Sequence, residues 1–177
     1  FGDEFDAGTE YCDPPTGVVT DNTDCDDSRD SVNPDEDEIC DGSDRDEDCN
    51  GVADNDDSGT LTSTEDLYYP DADSDDYGDI DDAGTLLCDP TSAYPVLDNT
   101  DCDDSRDWVN PAGTEECDAS NLDEDCDGNA DDDDAQGADG KIVYYDDGDS
   151  DGFGDEFDAG TEYCDPPTGV VTDNTDC

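Results

Sequence analysis

Apolar residues in this chain come in short runs rather than stripes. Leu67-Tyr68-Tyr69, Ile142-Val143-Tyr144-Tyr145 and Val18-Val19 are each closed off within a few positions by Asp, Gly or Pro. No stretch repeats apolar residues at the 3.6-residue helical period, so paired EF-hand helices are not expected. Runs of β-branched and aromatic residues between turn formers predict short strands instead. They fall at Lys141–Tyr145, Asp66–Tyr69, Thr161–Cys164 and Gly17–Thr20. The remaining chain reads as irregular loop. The tyrosine pairs, with Tyr11, Tyr77, Tyr94 and Trp108, are expected to form small satellite cores.

The pattern repeats. Phe1 to Cys25 returns without a change at Phe153 to Cys177, an offset of 152. A weaker repeat aligns Phe1-Gly2-Asp3 through Cys49 with Tyr77-Gly78-Asp79 through Cys126. The expected organisation is unit A at 1–67, with the first part of its acidic loop upstream, unit B at 68–143, and a new unit A starting at 144–177. An elongated, rod-like tandem array in which each copy supports its neighbours follows from such a layout.

Composition sharpens the problem. Leu, Ile, Val and Phe number 22 of 177 residues, and 60 acidic residues face only Arg29, Arg45, Arg106 and Lys141, a net charge of -56. Such a chain reads as disordered unless something other than a hydrophobic core holds it. The charge excludes nucleic acid as a partner. No stretch is apolar enough to span a membrane.

Ten cysteines supply one kind of staple. Cys12, Cys25, Cys40 and Cys49 are echoed by Cys88, Cys102, Cys117 and Cys126, with Cys164 and Cys177 following. An even count at regular spacing suits disulfides in an oxidising, extracellular or cell-surface setting. With no CxxC pair and no His, zinc is the poorer reading. Four cysteines allow three connectivities. Pairing of sequence neighbours is the expectation: Cys12–Cys25, Cys40–Cys49, Cys88–Cys102, Cys117–Cys126 and Cys164–Cys177, each closing a loop with turn residues inside it.

The acidic residues are themselves periodic. A calcium loop takes oxygens from positions 1, 3, 5, 7 (a backbone carbonyl), 9 and 12, with Gly at 6. Residues 71–82 offer Asp71, Asp73, Asp75, the Tyr77 carbonyl, Asp79 and Asp82, although Asp76 replaces the glycine and predicts a strained or altered turn. Residues 147–158 offer Asp147, Asp149, Asp151, the Phe153 carbonyl, Asp155 and Asp158, and Asp3 and Asp6 are the tail of the same pattern. A second loop straddles a cysteine in each unit. It comprises Asp46, Asp48, Asn50, Val52, Asp54 and Asp57, then Asp123, Asp125, Asp127, Asn129, Asp131 and Asp134. A further candidate from Asp54 to Glu65 shares Asp54, so that either this carboxylate bridges two ions or the two readings compete. A less regular set comprises Asp24, Asp26, Ser28 and Asp30 closed by Glu38, echoed by Asp101, Asp103, Ser105, Asp107 and Glu115. Arg29 and Arg106 read as neutralising partners of nearby carboxylates. All donors are hard oxygens, which favours calcium, several ions per repeat, over copper, nickel or zinc, while magnesium keeps its waters and fits less well.

These residues resemble a known repeat. NTDCDDSRDSVNP, EICDGSDRDEDCNGVADN and the preceding YYDDGDSDGFGD are similar to the bacterial Asp/Cys metal-binding motif of the MopE type. The DxDxDGxxD loops also resemble thrombospondin type 3 calcium repeats. The resemblance implies a secreted or cell-surface protein in multi-repeat arrays, with chain wrapped around metal. The copper label of the first family transfers poorly to a chain without imidazole or thioether. Asp76, and Ala119-Ser120 where Gly usually follows Cys-Asp, depart from the pattern.

The expected fold class is therefore a small disulfide-rich, calcium-stabilised repeat, mostly irregular loops with short β-strands. The expected function is a structural repeat of an extracellular filament, stalk or adhesin shaft whose partners are neighbouring copies of itself. A secreted acidic matrix protein that buffers metal or templates mineral is the alternative. An enzyme is the poorest reading, since there is no His and no nucleophile–base pair.

Overall fold

The computed structural model describes residues 1–176. Secondary structure is sparse, as the short apolar runs require: β1 (Asp66–Tyr68), β2 (Thr85–Leu87), β3 (Ile142–Asp146), β4 (Thr161–Tyr163) and β5 (Val170–Val171), with single 3₁₀ turns at Asp54–Asp56 and Asp131–Asp133. No helix among the described residues is long and apolar enough to cross a membrane.

Contacts group the chain into two compact units that cut across the sequence repeats. The first holds Phe1–Pro70 and Ala83–Leu97; the second holds Asp71–Asp82 and the chain from Asp98 onward. In the first, β1 and β2 pair antiparallel with Tyr68 opposite Thr85, and a bridge joins Tyr69 to Val96. In the second, β3 lies between β4 and β5, both antiparallel to it.

Three of the four expected strands are present, within a residue of their expected ends. The fourth is not. Gly17–Thr20 is irregular, although the identical Gly169–Thr172 contains β5. Likewise Thr161–Tyr163 is β4 while the identical Thr9–Tyr11 is not a strand. A strand needs a neighbour to accept its hydrogen bonds. β3 supplies it to the second copy, and no strand among the described residues supplies it to the first. β2 was not expected, because its apolar run is only Leu86-Leu87 before the cysteine.

The disulfides differ from the neighbour pairing. Cys25 bonds Cys49, Cys40 bonds Cys88, Cys102 bonds Cys126 and Cys117 bonds Cys164. Cys12–Cys25, Cys40–Cys49, Cys88–Cys102, Cys117–Cys126 and Cys164–Cys177 are therefore corrected; Cys12 carries a free, exposed thiol, and Cys177 lies outside the described residues. The reason is non-local backbone pairing. Asn33 N–H donates to the Glu47 carbonyl at 2.9 Å and Asn110 N–H to that of Glu124 at 3.0 Å, which carries each 24-residue partner into reach. Cys40–Cys88 and Cys117–Cys164 each join one sequence repeat to the next.

What is buried is unusual. Val32, Val109, Tyr68, Tyr69 and Ala138 are the buried apolar residues, whereas Glu38, Glu124, Asp101 and Asp131 are as deeply enclosed. The expected aromatic cores are realised only in part. Tyr144 and Tyr163 rings lie 6.4 Å apart, but Tyr11 and Trp108 are exposed, the latter under the Arg106 guanidinium at 5.8 Å. Carboxylates occupy the interior, and buried charge is unfavourable unless it is paired.

Candidate metal centres

The four acidic loops share one local geometry. The first Asp of each accepts two backbone N–H groups from one turn ahead. Asp46 takes those of Asn50 and Gly51 (3.0 and 2.8 Å), and Asp123 those of Asp127 and Gly128 (3.1 and 2.9 Å). Asp147 takes Asp151 and Gly152 (3.2 and 3.1 Å), and Asp71 takes Ser74 and Asp76 (2.6 and 3.2 Å). The side chain at position 5 then accepts the N–H at position 7: Asn50 from Val52, Asp75 from Tyr77, Asp127 from Asn129 and Asp151 from Phe153, all at 2.8–3.0 Å. This wrapping needs left-handed backbone at position 6. Gly51, Gly128 and Gly152 have φ of +92 to +95°, and Asp76 adopts +77°. The turn at Asp76 keeps the left-handed backbone, which Asp adopts more readily than most side chains, but Asp71 there takes the position-4 N–H of Ser74 where the other loops use position 5.

In loops 46–57 and 123–134, a distant glutamate fixes the backbone. Glu38 Oε2 accepts Glu47 N–H at 2.8 Å and its Oε1 accepts Asp54 N–H at 3.2 Å; Glu115 does the same with Glu124 (3.0 Å) and Asp131 (2.6 Å). Glu38 thus stands with Asp46 and Asp48, their oxygens within 4.8 Å of one another, rather than closing the Asp24–Asp30 set. Asn50 donates to Asp48 (3.0 Å) and Asp57 (2.7 Å), drawing positions 3, 5 and 12 together. In the second copy Gln136 reaches Asp125 and Asp127, and Asp134 keeps a buried Oδ2 with no donor. Burial, then repulsion from Asp127, Asp134 and Asp123, raises the Asp125 carboxyl above its ordinary range.

Position 9 departs from the expected ring. Asp54 and Asp131 turn out of their loops, each accepting an N–H from the residue after a cysteine: Asp41 at 3.1 Å and Asp118 at 3.0 Å. The competing loop from Asp54 to Glu65 forms a turn instead, with Thr60 Oγ1 donating to the Asp54 and Asp57 carbonyls, each at 3.0 Å.

Loop 71–82 and segment 101–107, expected as separate sites, form one cluster. Backbone bonds join them: Ile80 N–H to the Asp101 carbonyl at 2.8 Å and Asp101 N–H to Gly78 at 3.0 Å. Asp104 Oδ1 accepts Ala72 N–H at 2.7 Å, and Asn110 Nδ2 donates to Asp75 at 2.7 Å. Asp101 is 0% exposed; its Oδ1 accepts Asp103 N–H, while its Oδ2 and both Asp73 oxygens lack any donor. Burial pushes the Asp101 carboxyl up to about 6, helped by Asp75, Asp73 and Asp104. Asp73 and Asp104 are raised chiefly by burial too, with Asp71, Asp75, Asp79 and Asp107 among the repelling neighbours.

Asp103, expected as a ligand, points elsewhere. It bonds Ser105 Oγ at 2.5 Å and pairs with Arg106 at 3.2 Å, as Asp26 pairs with Ser28 and Arg29. The Ser28 hydroxyl is the main cause that lowers the Asp26 carboxyl. The arginines do neutralise neighbouring carboxylates. Asp24 accepts Asp26 N–H at 2.9 Å, and Asp30 is exposed. The backbone join seen at Gly78 recurs at both other copies: Gly2 with Asp21 and Asp24, and Gly154 with Asp173 and Asp176. Asp3, Asp6, Asp79 and Asp155 each accept the N–H two residues on, at 2.8–2.9 Å. Asp158 also turns back to backbone, taking Asp146 and Gly160 N–H groups, which lower its carboxyl.

Sequence reasoning missed Asp104, Asp41, Asp44, Asp89 and the buried Glu47 and Glu124. Asp41 and Asp89 directly follow Cys40 and Cys88, so the correct disulfide would have placed them side by side. Taking alternate residues as ligands selected 103, 105 and 107, but this segment is a turn and it is Asp104 that meets loop 71–82.

The donors are thus clustered carboxylate oxygens, several without protons to accept, and no imidazole or thioether exists in the chain. This chemistry fits a hard cation. A family model described as "Cu-binding MopE: Putative metal-binding motif" matches residues 24–55 and 101–132. The chain carries the motif twice. Each copy of the motif runs from the buried Asp24 or Asp101 into the 3₁₀ turn within the DxD loop, with one disulfide closed inside it. No curated protein and no solved structure matches the chain.

Proposed function

We propose that this chain is a calcium-binding structural repeat of an extracellular filament, stalk or adhesin shaft. The observation that carries the reading is the set of buried carboxylate oxygens without donors, on Glu47, Asp54, Asp73, Asp101 and Asp134. A buried anion lacking a partner is strongly unfavourable, and of these residues only Glu47 meets a basic side chain, Arg45 at Oε1; Arg45 also pairs with Asp41, Arg29 with Asp26, Arg106 with Asp103, and Lys141 with Asp132. Bound cations would supply the balance. Carboxylate-rich cages of flexible loop suit calcium at roughly 2.3–2.6 Å, better than magnesium, which resists dehydration, or copper, which prefers softer ligands. Calcium at about ten times its Kd adds about 1.4 kcal/mol per site, so several sites support a chain with little core.

Disulfides favour an oxidising compartment. Those that join successive repeats, together with the exact return of residues 1–25, support a linear array in which neighbouring copies are the partners. The test is chelation. Excess EDTA should collapse the circular dichroism and protease resistance, and calcium should restore both; an unchanged folded state in EDTA defeats the proposal. The net charge of -56 favours a second reading, a secreted metal-buffering or mineral-templating matrix protein. Electron microscopy separates them, since long uniform filaments support the first and compact separate particles the second.

A further inference from the structure

Asp44, Asp54 and Asp89 bring their carboxylate oxygens within 4.8 Å of one another in the first unit. That spacing is about twice a calcium–oxygen distance of roughly 2.4 Å, so one ion can touch all three. Asp54 is 4% exposed, its Oδ1 is taken by Asp41 N–H, and its buried Oδ2 has no donor. The cluster is built, not incidental. The Cys40–Cys88 disulfide holds both approaches, and Asn55 grips the backbone at Cys88 and Asp89 through bonds of 2.7, 3.3 and 2.8 Å. A cleft lined by Asp44, Gly51, Val52, Asp54, Asp89 and Thr91 opens onto it.

The second unit repeats the construction with one change. Cys117–Cys164 takes the place of Cys40–Cys88, and Asp132 accepts the Cys164 and Asp165 N–H groups at 2.9 Å each, as Asn55 does. Asp131 and Asp165 correspond to Asp54 and Asp89. The residue corresponding to Asp44 is Asn121. With its amide oriented to satisfy both neighbours, Asn121 donates to Asp131 at 3.2 Å and to Asp165 at 3.0 Å. Asp44 and Asn121 share the same left-handed backbone, φ +47° and +49°. The second unit thus joins its two carboxylates with an amide. The first has a third carboxylate in that place and no proton to offer.

We propose that Asp44, Asp54 and Asp89 bind a divalent cation of the calcium class, at a site distinct from the DxD loops, and that the Asn121 amide replaces this ion in the second unit. The inference rests on the calcium reading above and adds a specific asymmetry between the two units. Native mass spectrometry of the full disulfide-bonded chain, titrated with calcium alone, counts the ions. Asp44→Asn should lose one ion per chain while keeping the native dichroism, because Asn then does what Asn121 does. Asn121→Asp should gain one. An unchanged count in Asp44→Asn, as expected of a carboxyl pair that merely shares a proton, overturns the site. So does an Asn121→Asp chain that gains none. A wild-type chain that binds no calcium at all defeats the calcium reading itself, a result distinguishable from the other two.

Discussion

Asp101→Asn should change the sign of its effect between calcium and EDTA. The wild-type carboxylate is enclosed, faces Asp73, Asp75 and Asp104, and titrates near 6 instead of 3.8. At about 1.4 kcal/mol per tenfold, that corresponds to roughly 3 kcal/mol of unfavourable charge burial at pH 7 in the metal-free chain. Asparagine keeps the shape and the oxygen that accepts Asp103 N–H, and removes the charge. In EDTA the variant should therefore be the more stable, by up to that amount. In calcium the same substitution removes a charged ligand and should weaken binding. Hydrogen exchange at the Gly78, Ile80 and Asp101 amides, which bond the Asp98, Asp101 and Gly78 carbonyls, reads the local opening directly. In EDTA, where the wild type is expected to be largely unfolded, protection should be the greater in the variant, and in calcium it should fall below wild type. An effect of the same sign in both media refutes the idea that this buried carboxylate awaits a cation.

The same group sets a pH dependence of opposite signs. Its folded value lies above its unfolded one, so metal-free stability should increase as pH falls from 7 towards 4, whereas calcium affinity should decrease over that range as protons compete; titrations at pH 7 and 5 check both. Glu115→Gln should cost about 2–3 kcal/mol, because an amide turned towards the Asp131 or Glu124 N–H loses a charge-assisted bond, and thermal melts in calcium should show no such loss for the exposed Glu162→Gln. Replacing Cys40 and Cys88 together by Ser should cost about 4 kcal/mol and replacing Cys25 and Cys49 about 3.5, from loops of 48 and 24 residues. Non-reducing peptide maps that recover Cys40 linked to Cys49 would refute the pairing outright.

Much of the geometry of the acidic loops was legible because their hydrogen bonding is local. A DxDxDG run places its own amides around its own first carboxylate within six residues, and the loops at Asp46, Asp71, Asp123 and Asp147 all obey that rule. Strand positions at β1, β3 and β4 were legible as β-branched or aromatic residues between turn formers, although the copy of β4 at Thr9–Tyr11 shows that such a run pairs only where a partner strand is present. Where partners lie far apart in the chain, the reading failed. The sequence-neighbour disulfides looked reasonable as short loops, yet the backbone pairs Asn33 with Glu47 and Asn110 with Glu124, and the cysteines follow.

From the sequence alone come the repeat, the surplus of carboxylate over cation, the hard-oxygen donor set and the turn of each acidic loop. These depend on composition and on contacts within one turn of chain. Tertiary structure decided which carboxylates meet. Loop 71–82 joins Asp101 and Asp104, Glu38 leaves its neighbours to clamp the next loop, and Asp54 turns out towards Asp44 and Asp89. It also gave the Gly169–Thr172 copy its strand, through pairing with β3. Both outcomes have the same cause. A strand bond and a cation site each need a partner from elsewhere in the chain, and local sequence does not say which partner arrives.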